Sequence, residues 1–493
     1  MVKWQGLVQE LQSRLGTTLN AFEIQGFSLS GPLETRDTRA MVESARSISL
    51  LPLVTCPTCW YRFPPEEILW VAAHGSLIGD SRAGAAEYRR FLPTLFTVDG
   101  RALDEKGEAC QELACPRCHA IVNRGLLEME PLFLSILGAP SSGKSFYLAT
   151  MIHSVGASLS KQFHLRFENA APRANQLMTE YVKTLFDYED HTKLVKLEKT
   201  DRTGKWYYET HVGEQDLLMS RPYLYSVQPD ETHPLHSRRR EVSRMVCLYD
   251  NAGEHYLPGA VTSQTPVIDH MAKSEALLFI YDPTQESAFR RACRACSAPS
   301  LDPQLESGST TYPQADVLSE AAARVRQLTK MPATEKFDRP LIVIVHKFDA
   351  WRPLLKKSPK ALDDVIRVGH DGVSCLQLDL LMEVSKDIEE LLMEHGPSIV
   401  TAARGFASEV VFIPVTATGR SPIVAGSDLN GRVDLRFDPS QIAPRWVELP
   451  VFYALHRAGL RNGNASLIPA AASTTAVPLP AAAKNSGRKE RDS

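Results

Sequence analysis

No apolar run in this 493-residue sequence reaches the roughly 18 residues that a membrane-crossing helix needs. The opening residues, Met1-Val2-Lys3-Trp4-Gln5, carry no leader pattern of a basic segment followed by an apolar one. Together these absences predict a soluble, cytoplasmic protein. An excess of charge of one sign is missing too. The 55 Lys and Arg against 58 Asp and Glu leave a formal net charge of -3. That excludes a global attraction to nucleic acid or anionic lipid, so such binding would need a local patch. No internal repeat is present, which excludes a solenoid or a propeller. What remains is an ordinary hydrophobic fraction of 43% and enough chain for two or three domains.

The organisation changes along the chain. Residues 1–50 hold Leu7, Val8, Leu11 and Leu15 at helical spacing and no recognisable chemistry. Residues 51–127 are bracketed by two cysteine pairs, and 128–461 alternate strand-like and helix-like segments, as an α/β domain does. Residues 462–493 are rich in Ala, Pro, Ser and Thr and end in charged residues, the composition of a disordered tail.

Nine cysteines, several in C-x-x-C pairs, point to metal binding in a reducing compartment more than to disulfides. Cys56-Pro57-Thr58-Cys59 and Cys115-Pro116-Arg117-Cys118 supply the four thiolates of a tetrahedral zinc site. The 55 residues between Cys59 and Cys115 exceed the compact spacing of about 15 to 20, so an inserted subdomain must fold out between the pairs. Cys110 and His119 are candidate substitute ligands. A closed four-thiolate site leaves no open coordination position, which predicts a structural zinc that also offers a docking surface. Cys293 and Cys296 stand alone among Arg290, Arg291 and Arg294, and no metal is expected there. Trp60, Tyr61, Arg62 and Phe63 follow Cys59 without a dense basic cluster, which disfavours nucleic acid as a partner.

Residues Gly138 to Ser145 read GAPSSGKS, a complete G-x-x-x-x-G-K-[ST] phosphate loop. The apolar run Leu132 to Leu137 precedes it as a buried strand should, and Leu148, Met151, Ile152 and Val155 follow at helical spacing. A loop that ends at a helix N-terminus turns its N–H groups toward phosphates. Gly138, Ser141, Ser142, Gly143, Lys144, Ser145 and Phe146 are therefore the candidate phosphate contacts. Lys144 brings a point charge and Ser145 a hydroxyl for magnesium.

Three further strand ends carry chemistry. Met245 to Tyr249 leads into Asp250-Asn251-Ala252-Gly253, where a carboxylate can hold magnesium and a glycine N–H can approach a γ-phosphate. Leu277 to Tyr281 is a plain apolar strand. Leu341 to Val345 ends in His346-Lys347-Phe348-Asp349, and Val410 to Val415 ends in Thr416-Ala417-Thr418. Helices over Leu378 to Leu392 and Val447 to Leu460 read as structural.

This ordered set resembles P-loop GTPases of the Ras-like and translation-factor class. With a zinc ribbon ahead of the loop and long insertions, it is similar to bacterial double-GTPase proteins associated with multi-component signalling or conflict systems. The resemblance implies an α/β fold: a mostly parallel six-stranded sheet, five strands parallel, with helices on both faces and a small zinc-ribbon module in front. Residues 223–227 and 241–249 would form its antiparallel hairpin. It implies GTP or GDP with Mg2+ and Zn2+ as cofactors. Ser145 and Asp250 would hold Mg2+, Gly253 would sense the γ-phosphate, and Lys347 would pack on the base. Asp349 would accept from the guanine N1 and N2 donors, and the Ala417 N–H would meet O6. Lys144, Glu254 and His255 are the implied catalytic group. Glu254 occupies the place where Ras-like proteins carry Gln and translation factors His, and His346 replaces the usual Asn or Thr. Thr200, Thr203, Thr210 and Ser220 compete as the first-switch hydroxyl, and Arg238 to Arg240 read as a solvated loop.

The expected function is a GTP-binding, slowly GTP-hydrolysing switch that engages a protein partner through the zinc module or the switch region. The alternatives are a zinc-ribbon nucleic-acid-binding ATPase and a nucleotide-binding scaffold without turnover.

Overall fold

The computed structural model describes residues 50–187, 193–197, 207–212, 215–251, 270–296, 313–355, 362–369, 372–427, 433–461 and 466–471. The expected N-terminal helix, Thr200, Thr203, Gly253, Glu254 and His255 lie outside them, and of the expected tail only 466–471 are described, with Leu467 and Ile468 buried and Ala470 bridged to Leu376. Among the described residues no helix is long and apolar enough to cross a membrane.

Seven strands build the main sheet, numbered in chain order. They are β1 (Glu130–Gly138), β2 (Leu165–Asn169), β3 (Tyr223–Pro229), β4 (Arg244–Asp250), β5 (Ala276–Tyr281), β6 (Leu341–Val345) and β7 (Val410–Pro414). Their spatial order is β2-β3-β4-β1-β5-β6-β7. β4, β1, β5, β6 and β7 run parallel, while β3 is antiparallel to both of its neighbours. The five parallel strands come from continuous apolar runs, as strands covered on both faces require.

The sheet has one strand more than the six expected. The addition, β2, reads Leu165-Arg166-Phe167-Glu168-Asn169 and pairs at the sheet edge with β3. Its alternation of apolar and polar residues suits a half-exposed edge strand and gives no apolar run to detect. The expected antiparallel pairing of the 223–227 and 241–249 segments is that of β3 with β4.

Among the described residues seven longer helices accompany the sheet: α1 (Lys144–Phe163), α2 (Gln176–Phe186), α3 (Ser287–Cys296), α4 (Gln314–Thr329), α5 (Leu378–His395), α6 (Pro397–Phe406) and α7 (Leu449–Arg461). On α1, Leu148, Met151, Val155 and Leu159 form one buried stripe. The helix stops at His164, whose φ of 55° lies in the left-handed region. α7 closes against α1 through Phe163 and Phe452, with ring centroids 5.1 Å apart, and through the Tyr147 hydroxyl on the Val447 carbonyl.

Alternation along β4 divides its neighbours. Val246 and Leu248 enter the large core with α1, whereas Met245, Cys247 and Tyr249 share a second buried cluster with Val54, Trp60, Phe63 and Leu126. The cysteine-bearing module thus covers this part of the sheet, where a helix layer was expected. A flat apolar strand face accepts any apolar cover, and the module's own core supplies one.

Within the module each C-P-x-C stretch forms the turn of a short hairpin. Val54–Thr55 pairs with Arg62–Phe63, and Leu113–Ala114 with Ile121–Val122. The intervening insertion adds Leu69–Val71 and Arg90–Phe91 beside the second hairpin, and an outlying hairpin of Ile78–Asp80 with Gly84–Tyr88. Two carboxylates organise its loops. Asp80 accepts from the backbone N–H groups of Arg82, Ala83 and Arg90, and Asp104 from those of Ala73, His74, Lys106 and Glu108.

Candidate functional site

Two sites emerge, one at the carboxyl ends of the parallel strands and one between the cysteine hairpins. The hairpin turns are near-copies. In each, the first cysteine's Sγ accepts an N–H two residues on, from Thr58 and Arg117, at 3.4 Å. Trp60 N–H donates to the Cys56 carbonyl, as His119 N–H does to that of Cys115. Trp60 and His119 both take left-handed φ, 54° and 61°, which folds the chain back after the second cysteine.

The four sulfurs converge. Ligand atoms of Cys56, Cys59, Cys115 and Cys118 all lie within 4.8 Å of one another, with Cys56 to Cys118 at 3.8 Å and Cys59 to Cys115 at 3.7 Å. A Zn–S bond of about 2.3 Å implies a tetrahedron edge of about 3.8 Å, so the cage has the right size for that ion. These distances exclude disulfides, whose S–S length is about 2.05 Å. Hydrogen bonds from neighbouring thiols pull Cys59 and Cys115 down, while burial pushes Cys56 up. Four thiolates this close, three of them buried and Cys59 partly so, would repel one another without a cation, and the group could hold a divalent ion. Neither candidate substitute joins the group: Cys110 Sγ donates to the Glu108 carbonyl, and His119 Nδ1 meets Asp80 at 2.7 Å. On α3, Cys293 is buried and Cys296 exposed.

At the strand ends, β1 stops at Gly138 and α1 starts at Lys144. A Cβ on Gly138 would sit 2.9 Å from the Ile280 carbonyl oxygen on β5, which is why the loop must leave the sheet through glycine. Gly143 has φ 88°, and a Cβ there would lie 2.6 Å from His346 Cε1. No side chain caps the first turn of α1, so its N–H groups stay available to an anion. Lys144 Nζ lies 3.0 Å from Asp250 Oδ1 and also donates to the Asn251 carbonyl. Ser142 is buried, Ser141 exposed, and Ser145 half-buried at the start of the helix. Phe146 packs against Phe437 with ring centroids 4.9 Å apart and the planes tilted by 56°.

His346 connects the loop to the other strand ends. Its Nδ1–H donates to the Ser142 carbonyl at 3.0 Å, which fixes the tautomer. Lys347 takes a left-handed φ of 56° and its Nζ lies 2.6 Å from Asp282 Oδ2. Asp349 Oδ1 accepts from the Thr416 hydroxyl at 2.5 Å. Phe348 N–H donates to the Val415 carbonyl, which locks the loop after β6 to the loop after β7. Ala417 is buried in that second loop.

Phosphate-loop residues, Asp250, Lys347, Asp349 and Ala417 are thus all carried on strand ends of one sheet edge, the usual ligand edge of parallel α/β sheets. Asp282 and Thr416 were missed as participants. Asp282 follows the apolar run of β5 and meets Lys347 because Tyr281 pairs with Val345 across the two strands. A carboxylate directly after a buried strand was the available signal. Thr210, one first-switch candidate, instead donates its hydroxyl to the Cys118 carbonyl at 3.1 Å, and Ser220 is buried. Arg238 pairs with Glu241 at 2.7 Å in an exposed turn.

His346 also titrates abnormally. Burial, and then the charge of Lys347, push its pKa down to about 4. The unfolded ring titrates near 6.5, so between these values the unfolded chain holds the extra proton. Stability from the neutral ring is complete above about pH 6.5 and falls as pH drops toward 4, by about 3 kcal/mol in all. Urea unfolding midpoints measured across that window should decline less steeply for His346→Asn than for the parent.

No protein-family model matches the chain, and no curated protein matches its sequence. Among solved structures it is similar to sup35 complexed with GDP, at 12% identity and a TM-score of 0.21 over 62% of this chain and 41% of that one. It is also similar to sup35 complexed with GMPPNP, at 11% identity and a TM-score of 0.18 over 60% of this chain and 40% of that one. The chain therefore spans about two-fifths of the length of the solved structures it matches. A likeness of this size carries no information on what this chain binds.

Proposed function

We propose that the chain is a guanine-nucleotide-binding switch that hydrolyses GTP slowly to GDP and phosphate and carries a structural zinc. The observation that carries this reading is the bracing of Asp349 by Thr416 beside a phosphate loop that His346 ties to the same edge. A carboxylate fixed there selects the paired N–H donors of guanine, which adenine lacks. Lys144 and the N–H groups of the first turn of α1 bind the phosphates, and in doing so draw Lys144 away from Asp250.

Mg2+ would be held by Ser145 and Asp250, and when bound it neutralises charge on the phosphate oxygens. Lys347, kept extended by Asp282, offers its stem to the base. Gly253, Glu254 and His255 follow Asp250 in sequence and are the proposed γ-phosphate and water contacts. A carboxylate at Glu254 repels the γ-phosphate, which supports slow turnover. Cys56, Cys59, Cys115 and Cys118 hold the zinc, and the module or the switch region meets a protein partner.

Competition titration against a fluorescent GDP tests the base assignment: unlabelled GTP and GDP should displace it at least about 100-fold better than ATP. Equal displacement by ATP would sink it. Lys144→Ala should weaken binding by about 100-fold, near 3 kcal/mol. Single-turnover hydrolysis that is the same in both proteins would leave binding as the only role.

A further inference from the structure

The cysteine module touches the strand that ends at Asp250 and the hairpin that leads into that strand's antiparallel neighbour. β4 ends at Asp250, residues 252–269 lie outside the described residues, and description resumes at His270. Both borders rest on the first cysteine turn. The Tyr249 hydroxyl, one residue before Asp250, donates to the Pro57 carbonyl inside Cys56-Pro57-Thr58-Cys59. The Tyr249 ring stacks on His270 with centroids 4.4 Å apart and planes 5° from parallel. Trp60, next to Cys59, lies 6.3 Å from Tyr249 and 6.1 Å from His270.

The second cysteine turn holds the other segment. Hydroxyls of Tyr208 and Thr210 both donate to the Cys118 carbonyl at 3.1 Å. They belong to the hairpin of Tyr207–Val212 with Gln215–Ser220, which lies between α2 and β3. The hairpin leads into β3, which pairs with β4, so both cysteine turns reach the strand pair that ends at Asp250. Tyr249, Cys56, Cys115 and Cys118 are all fully or almost fully buried. Close-packed contacts of this kind transmit small displacements instead of absorbing them.

We propose that the four-cysteine centre and the nucleotide site are thermodynamically coupled, through Tyr249 on Pro57 and through the hairpin hydroxyls on Cys118. This rests on the nucleotide reading above. Linkage makes the coupling reciprocal: whatever the γ-phosphate does to metal affinity, the metal does to preference for triphosphate over diphosphate. The module is then an internal sensor of the nucleotide state, built where an external partner would otherwise read it.

Co2+ reports on the site directly, because tetrahedral thiolate coordination gives it visible and near-ultraviolet absorption bands. The metal-free full chain would be titrated with Co2+ under a competing chelator, with saturating GDP and separately with a non-hydrolysable GTP analogue. Fluorescent-nucleotide binding would be measured on the same samples. Co2+ affinity should differ by about fivefold or more between the two nucleotides. Tyr249→Phe, which keeps the ring and removes the hydroxyl, should shrink that difference while both nucleotides still bind. Tyr208→Phe does the same at the second turn and serves if the first variant fails to fold. Equal Co2+ affinities with both nucleotides bound would overturn the coupling and leave nucleotide binding standing. Absence of any nucleotide binding would overturn both.

Discussion

Asp349→Asn should lower affinity for guanine nucleotides by about 100-fold or more and raise that for xanthine nucleotides. In the parent, Oδ1 already accepts from Thr416 at 2.5 Å, so the carboxylate is oriented before a ligand arrives. Guanine offers two donors on one edge, and an ionised carboxylate is an acceptor at both oxygens. An amide replaces one acceptor with a donor, which opposes the guanine N2 amino group and matches the xanthine O2. Unsatisfied buried polar groups cost about 1–3 kcal/mol each, which sets the size of the switch. Displacement curves for GDP, xanthosine diphosphate and ATP on the variant measure it. If all three are unchanged, residues His346 to Asp349 do not read the base. Thr416→Val removes the brace and leaves the carboxylate, so it should weaken GDP binding by a smaller factor without improving the xanthine nucleotide.

The parts of this site that were legible in the sequence are those whose chemistry is local. Gly138 to Ser145 fixes its own backbone path, because the loop geometry is written into consecutive residues. The parallel strands were legible because burial on both faces leaves a continuous apolar run, as in Leu341-Ile342-Val343-Ile344-Val345. β2 was not, since Arg166 and Glu168 interrupt it at the sheet edge. Asp282 is separated from Lys347 by 65 positions, and only the register of β5 against β6 brings them together. Spacing within each cysteine pair announced a cage. It could not say where the cage would sit, because Met245, Cys247 and Tyr249 are as apolar toward the module as Val246 and Leu248 are toward the helices. The bond from Tyr249 to Pro57, 192 positions away, is a product of that docking.

Removing the metal should be the most damaging single change to this protein. The hairpins that carry the cysteines have strands of two residues each, far below what pairing alone can stabilise. Their apolar residues are committed to the main sheet, with Val54, Trp60, Phe63 and Val122 in one buried cluster with Phe133, Met245 and Tyr249. Chelation therefore acts on two levels. It leaves four crowded sulfurs without the ion that balances their charge, and it loosens the cover over β1 and β4. Structural zinc contributes about 10–16 kcal/mol in isolated zinc-finger peptides, and a fraction of that exceeds the whole stability of an ordinary domain. The purified chain should contain one zinc ion per molecule, and a strong chelator should lower its thermal midpoint by about 10 °C or more. Cys56→Ser and Cys118→Ser should do so without chelator, whereas Cys296→Ser, altering an exposed thiol, should not. A chain free of metal with an unchanged midpoint would make the four thiols an ordinary reduced cluster. Because β4 packs its Met245, Cys247 and Tyr249 face on the module and ends at Asp250, the same chelation should weaken nucleotide binding before the rest of the sheet melts, and the two transitions are separable by fluorescence of bound nucleotide and by far-ultraviolet circular dichroism.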